Sequence, residues 1–157
     1  MSRVKVGCCG FAKGKKAYFQ QFKLAEIQQT FYELPSVGIV TKWREEAPQD
    51  FQFSLKAWQL ITHLPSSPTY RKAGLQIPAD KESNYGFFKP GEEVFEAWPK
   101  TRNVAEALSA KVILFQCPVK FTETAENIAN SRHFFTSINR ADFVFVWEPR
   151  GEWSNHV

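Results

Sequence analysis

Phe51-Gln52-Phe53-Ser54-Leu55-Lys56-Ala57 alternates large apolar side chains with Gln52, Ser54 and Lys56. That is the period of a strand with one packed face and one polar face. Similar β-type runs lie on both sides of it, at Arg3–Cys8, Leu24–Phe31, Val112–Cys117 and Phe143–Glu148. The connections between the runs are too long for hairpins. They suit parallel strands, which need a crossover of about a dozen residues or more to return to the same end of a sheet. The fold class expected is α/β.

Three connecting segments carry helical patterns: Val37–Glu46, Arg102–Ala110 and Glu123–Arg140, the last with Ala125, Ile128, Ala129 and Phe135 toward the sheet. Residues 65–99 are rich in Pro, Gly, Ser and charge and show no sustained period. They read as a long loop insertion after the third strand, with a short helix near Glu92–Trp98.

At 157 residues, with 43% hydrophobic and 15% aromatic side chains, the chain has the composition of a folded domain with a substantial core. A net charge of +4 and a pI near 9.0 permit an anionic partner but fall short of a dedicated nucleic-acid surface. Cys8, Cys9 and Cys117 form neither a disulfide framework nor a metal knuckle, so reduced thiols, no metal site and a soluble, cytoplasmic protein are expected. No segment has the length of apolar sequence a membrane span requires, and the residues leave the cofactor unknown. The glycines and lysines from Gly7 to Lys16 miss the spacing of a phosphate loop, because three residues separate Gly10 from Gly14 and Lys16 follows Lys15.

Strand alternation gathers the polar side chains. Glu26, Gln28, Thr30 and Tyr32 align on the second run, Val112, Leu114 and Gln116 on the fourth, and Val144, Val146, Glu148 and Arg150 on the fifth. If the sheet closes into a barrel, polar residues at the C-terminal ends of the inward faces meet at its mouth, where barrel active sites are built. Lys56, Glu148 and His63 are the catalytic candidates; Gln28, Thr30, Tyr32, Gln116, Arg150 and Trp153 are the ligand-binding candidates. Lys56 is either a cationic anchor or the partner of Glu148 or Glu26. Glu148 and Arg150, two apart, point the same way, as an ionised base beside a cation or as a structural ion pair. His63 either transfers protons or caps backbone groups, and Trp153 either packs a loop or stacks on a ligand.

Four ordered blocks carry a family resemblance. Glu26-Ile-Gln-Gln-Thr-Phe-Tyr-Glu-Leu-Pro35 resembles the E-x-N-x-T-F-Y-x-x-P signature of the DUF72, or YecE-like, family, with Gln28 in place of the usual Asn. Phe51 to Lys56 with Thr62-His63 resembles its F-x-F-x-x-K…T-H block. Leu114-Phe-Gln116-Cys-Pro118…Phe121 resembles F-Q-x-P-x-x-F, and Glu148-Pro-Arg150-Gly-Glu-Trp153 resembles E-x-R-x-x-W. The segment around Tyr85-Gly-Phe-Phe-Lys-Pro90 is similar to an insertion of archaeal-type members. The resemblance implies a TIM-like (β/α) barrel, here its first five of eight βα units, with residues 1–157 as one domain incomplete at the C-terminus and with open strand edges available for self-association.

No established activity comes with the resemblance. The functional expectation is an enzyme-like barrel that binds a polar or anionic small molecule at its mouth. The alternative is a noncatalytic nucleic-acid-binding or assembly module using Lys13, Lys15, Lys16 and the aromatics Tyr85–Phe88.

Overall fold

The computed structural model describes residues 4–12 and 14–154. Its centre is a sheet of five parallel strands in sequential order: β1 (Gly7–Cys9), β2 (Leu24–Ile27), β3 (Gln52–Lys56), β4 (Val112–Gln116) and β5 (Val144–Glu148). Between them run α1 (Lys15–Gln21), the helical turn α2 (Gln29–Tyr32), α3 (Val37–Glu46), the turn α4 (Gln59–Thr62), α5 (Pro68–Lys72), a 3-10 turn at Ala79–Asn84, α6 (Glu92–Ala107) and α7 (Ala125–Ser137). The α/β class and the parallel order follow the expectation, and sequential parallel strands are consistent with part of a (β/α) barrel.

One face of the sheet is covered by helices and aromatic side chains. Phe11, Tyr18, Phe19, Phe51 and Phe53 pack edge to face beneath β1–β3. Phe88, Trp98, Phe115, Phe134 and Phe145 form a second cluster beneath β4 and β5. The opposite face carries Cys9, Leu24, Glu26, Ser54, Lys56, Val112, Leu114, Gln116, Val144, Val146 and Glu148, which the register places side by side. Val144 and Val146 are exposed there. β1 and β5 are the sheet's edges.

Four expectations need correction. The second strand ends at Ile27, not Phe31, because Thr30 turns its hydroxyl back onto the Ile27 carbonyl (2.9 Å) and α2 begins. Residues 65–99 are not loop throughout: α5, the 3-10 turn and the first half of α6 occupy much of the segment. α6 is one helix that passes through Pro99, and its buried Val94, Ala97, Trp98, Thr101, Val104 and Ala105 keep a helical spacing across the proline. On α7 the inward residues are Phe134 and Asn127, with Ile128 and Phe135 half-buried; Ala125 and Ala129 are exposed. The face is turned because Asn127 donates to the Thr122 carbonyl (2.8 Å) while Phe134 fills the core.

Gly86, Phe87 and Phe88 form a left-handed turn, with φ of 74°, 54° and 54°. Gly86 N–H donates to the Leu60 carbonyl and Phe88 N–H to the Ile61 carbonyl, both at 2.9 Å, so the insertion fastens α4. A Cβ on Gly86 would overlap the His63 carbonyl. Gly86→Ala is therefore expected to lower unfolding free energy by about 2 kcal/mol or more in urea titrations, from the left-handed φ together with the overlap.

Candidate functional site

The polar end of the sheet is set by register. Gln116 and Glu148 are direct partners on β4 and β5, so their side chains leave the same face at the same level. Gln116 Nε2 donates to Glu148 Oε1 at 2.9 Å, and Arg150 Nε donates to the same oxygen at 3.0 Å. Glu148 Oε2 makes no hydrogen bond to another described residue. Burial alone would push the Glu148 carboxyl up, but the hydrogen bonds from Gln116 and Arg150 and the charges of Arg150 and Lys56 hold it below its ordinary range. The result is an oriented, ionised carboxylate with one oxygen engaged and one open.

Lys56, at the end of β3, lies on the same face and is 12% exposed at its side chain. Its Nζ stands 3.9 Å from Glu26 Oε1 on β2. The Cys9 thiol donates to that oxygen at 3.6 Å, and Gln28, half-buried, stands just before α2. Burial first, then the Glu26 carboxylate, raises the Cys9 thiol above its usual range, so it is protonated at neutral pH. Glu26 and Cys9 thus join the sequence-derived set. Glu26 was legible in the β2 alternation, but Cys9 became a neighbour only through the β1–β2 register.

His63 follows α4 and is 7% exposed. Its Nδ1 shares a 2.8 Å hydrogen bond with Thr62 Oγ1, the Phe31 ring meets it edge-on at 4.8 Å, and Tyr70 Oη donates to its carbonyl at 2.9 Å. Burial, then the charges of Arg150 and Lys56, lower its pKa to about 4. It is neutral at physiological pH and stands within the field of the two mouth cations. A small cleft of about 190 Å³ is lined by Leu64, Ser66, Ser67, Pro68, Phe87, Pro118, Val119 and Lys120, with His63 itself outside the lining. Larger clefts lie between Pro65 and Gln76, with Tyr70 in the wall, and beside α7, with Trp153 in the wall.

The remaining candidates are placed differently. With β2 ending at Ile27, Thr30 and Tyr32 leave the strand face. Thr30 is fully buried, and its single O–H is shared between the Ile27 and Lys56 carbonyls, tying α2 to the end of β3. Tyr32 accepts at its carbonyl from Trp58 and Gln59, and its ring carries Lys72 Nζ at 4.9 Å. Trp153 donates from Nε1 to the Phe121 carbonyl at 2.7 Å and packs edge-on against Trp147, whose side chain is on the face opposite Glu148.

Of the groups expected to serve a nucleic-acid module, Lys15 is paired with Glu46, Phe88 is wholly buried and Lys13 lies outside the described residues. Trp147 Nε1 donates to Cys117 Sγ at 3.2 Å, and burial pushes that thiol up to about 12. Among the described residues no three His, Cys, Asp or Glu side chains are grouped to hold a metal ion, and no helix is long and apolar enough to cross a membrane.

The His63 shift fixes a pH dependence. Unfolded, the imidazole takes up its proton near pH 6.5; folded, it does so only near pH 4. Stability is fully present above pH 6.5 and falls as the pH drops toward 4, by at most about 3 kcal/mol. Urea unfolding free energies measured across that window should show this slope, and His63→Gln should flatten it. Thiol titration of the native chain should modify Cys8 and Cys9 and spare Cys117 until denaturant is added.

The comparisons with known proteins agree with this architecture. Over 121 residues the chain is 29% identical to the UPF0759 protein YunF of Bacillus subtilis (strain 168), covering 76% of this chain and 37% of that protein. A crystal structure of a DUF72 family protein from Enterococcus faecalis V583 superposes with a TM-score of 0.60 at 21% identity, covering 93% of this chain and 51% of that one. One from Thermotoga maritima MSB8 gives 0.53 at 20% identity, covering 84% and 44%. The chain therefore spans about a third to a half of the length of these relatives. The family model described as "Protein of unknown function DUF72" matches residues 12–152, and the chain belongs to that family.

Proposed function

We propose that the polar end of the sheet is a small-molecule site of an enzyme-like barrel, with Glu148 as proton acceptor, Lys56 and Arg150 as fixed donors, and neutral His63 beside them. The observation that supports it is the asymmetry at Glu148. Both of its hydrogen bonds fall on Oε1, which orients the carboxylate and keeps it ionised while leaving Oε2 for a ligand proton. Arg150 is held through Nε alone, so its two terminal nitrogens remain directed donors. A cytoplasmic setting for the three free thiols belongs to the same reading. Because the chain spans only part of its relatives, the activity of the whole barrel is included in the proposal.

A thermal-shift screen of metabolites against the 157-residue chain tests it. A ligand of this site should raise the midpoint of the parent. It should bind about tenfold more weakly to Glu148→Gln and Arg150→Ala. Any proton-transfer turnover should fall by about a hundredfold or more in Glu148→Gln. If no ligand distinguishes Glu148→Gln, Arg150→Ala and Lys56→Ala from the parent, the reading fails.

A further inference from the structure

The charges at this mouth are already matched. Lys56 faces Glu26, Arg150 is bound to Glu148, and both carboxylates lie on the same sheet face as Lys56. His63, the remaining titratable group within reach of both cations, is buried against Phe31 and uncharged. The set carries two positive and two negative groups. A phosphate or carboxylate entering it would either displace Glu26 or Glu148 from its cation or add an unmatched negative charge beside two carboxylates. Neither is favourable in a partly buried setting.

What the mouth does offer is a mixed row of two cationic donors and three acceptor oxygens. The terminal nitrogens of Arg150, the open Oε2 of Glu148, the carbonyl oxygen of Gln116, the Lys56 ammonium and the second oxygen of Glu26 follow one another across β5, β4, β3 and β2. Each hydroxyl both donates and accepts, so adjacent hydroxyls can satisfy such a sequence without bringing net charge. Next to this rim on the same face lie Leu114 and Val146, direct register partners, with Val146 41% exposed. They form an apolar floor of the kind that packs against the C–H face of a sugar ring.

We infer that the ligand of this mouth is a neutral polyhydroxylated molecule, a sugar or polyol with adjacent hydroxyls, and not its phosphorylated or carboxylated counterpart. The inference rests on the reading that the mouth binds a polar small molecule, and it narrows the ligand class.

The test is ¹⁵N NMR of the 157-residue chain, following the Arg150 Nε–H and Gln116 side-chain amide signals. D-glucose, D-xylose and myo-inositol are titrated beside glucose 6-phosphate and gluconate, each at low and high salt (about 50 and 500 mM). At least one neutral compound should shift both signals to saturation, with a dissociation constant that changes less than about twofold with salt. The charged counterparts should bind about tenfold more weakly. Tighter binding by glucose 6-phosphate or gluconate, lost at high salt, overturns the neutral class while leaving the mouth as a ligand site. Failure of all five compounds to move either signal also overturns the class, and the mouth reading is then decided by the variant screen with Glu148→Gln.

Discussion

The register of the parallel ladder is the constraint on which the other features depend. Val112 pairs with Val144, Leu114 with Val146 and Gln116 with Glu148, and the ladder continues as Cys117 N–H donates to the Glu148 carbonyl at 2.9 Å. Slipping β5 by one residue would move Glu148 to the helix-covered face and bring Trp147 to the polar one. The aromatic face resists that slip. Phe145 meets Trp98, Phe115 and Phe135 at centroid distances of 5.2 to 5.9 Å, contacts that the alternative register would lose. Position of the carboxylate and packing of the core are thus one requirement, met from opposite faces of the same strand.

How legible these features were in the sequence depended on whether period or long-range contact decided them. β3, β4, β5 and α3 were readable because alternation or helical spacing continues to their ends, and the same alternation brought Gln116, Glu148 and Lys56 to one face. The continuation of β2 through Phe31 was misleading. Gln28, Thr30 and Tyr32 keep a period of two, and Thr, Phe and Tyr favour strands, yet the Thr30 hydroxyl finds the Lys56 carbonyl across the sheet. That is a tertiary contact with no local signature. α6 was divided at Pro99 because a proline removes one helical donor; the buried row from Val94 to Ala105 outweighs the loss. Residues 65–99 concealed their order for a related reason, since α5 and the 3-10 turn are too short to establish a period.

The electrostatics of the mouth were partly legible. Glu148 and Arg150 are two apart on an extended segment, so their pairing followed from the sequence. The Lys56 partner did not. Glu26 and Glu148 were both possible, and the structure settles the closer contact on Glu26 while leaving Glu148 in the longer-range field of Lys56. This division matters physically. A lysine tightly bound to Glu148 would compete with Gln116 and Arg150 for the same carboxylate; held by Glu26, it contributes to keeping Glu148 ionised without occupying its open oxygen.

The left-handed turn at Gly86–Phe88 shows how that arrangement is kept in place. Two successive non-glycine residues at positive φ cost about 1–3 kcal/mol each, which local interactions do not explain. Burying Phe88 completely among Phe115, Phe121, Phe134 and Phe135 offsets much of this. The strained geometry points the Gly86 and Phe88 N–H groups at the Leu60 and Ile61 carbonyls, groups that a four-residue helical turn leaves without internal partners. Gly86 then lies against the His63 backbone, where no side chain would fit, and Tyr70 takes the His63 carbonyl. The insertion therefore confines His63 beneath Phe31 and away from water. That confinement, more than either neighbouring cation, keeps its imidazole uncharged. A protonated His63 would add a third positive group to a mouth whose two cations are already matched by two carboxylates, so the strain in the insertion and the charge balance at the sheet's end are connected through a single buried ring.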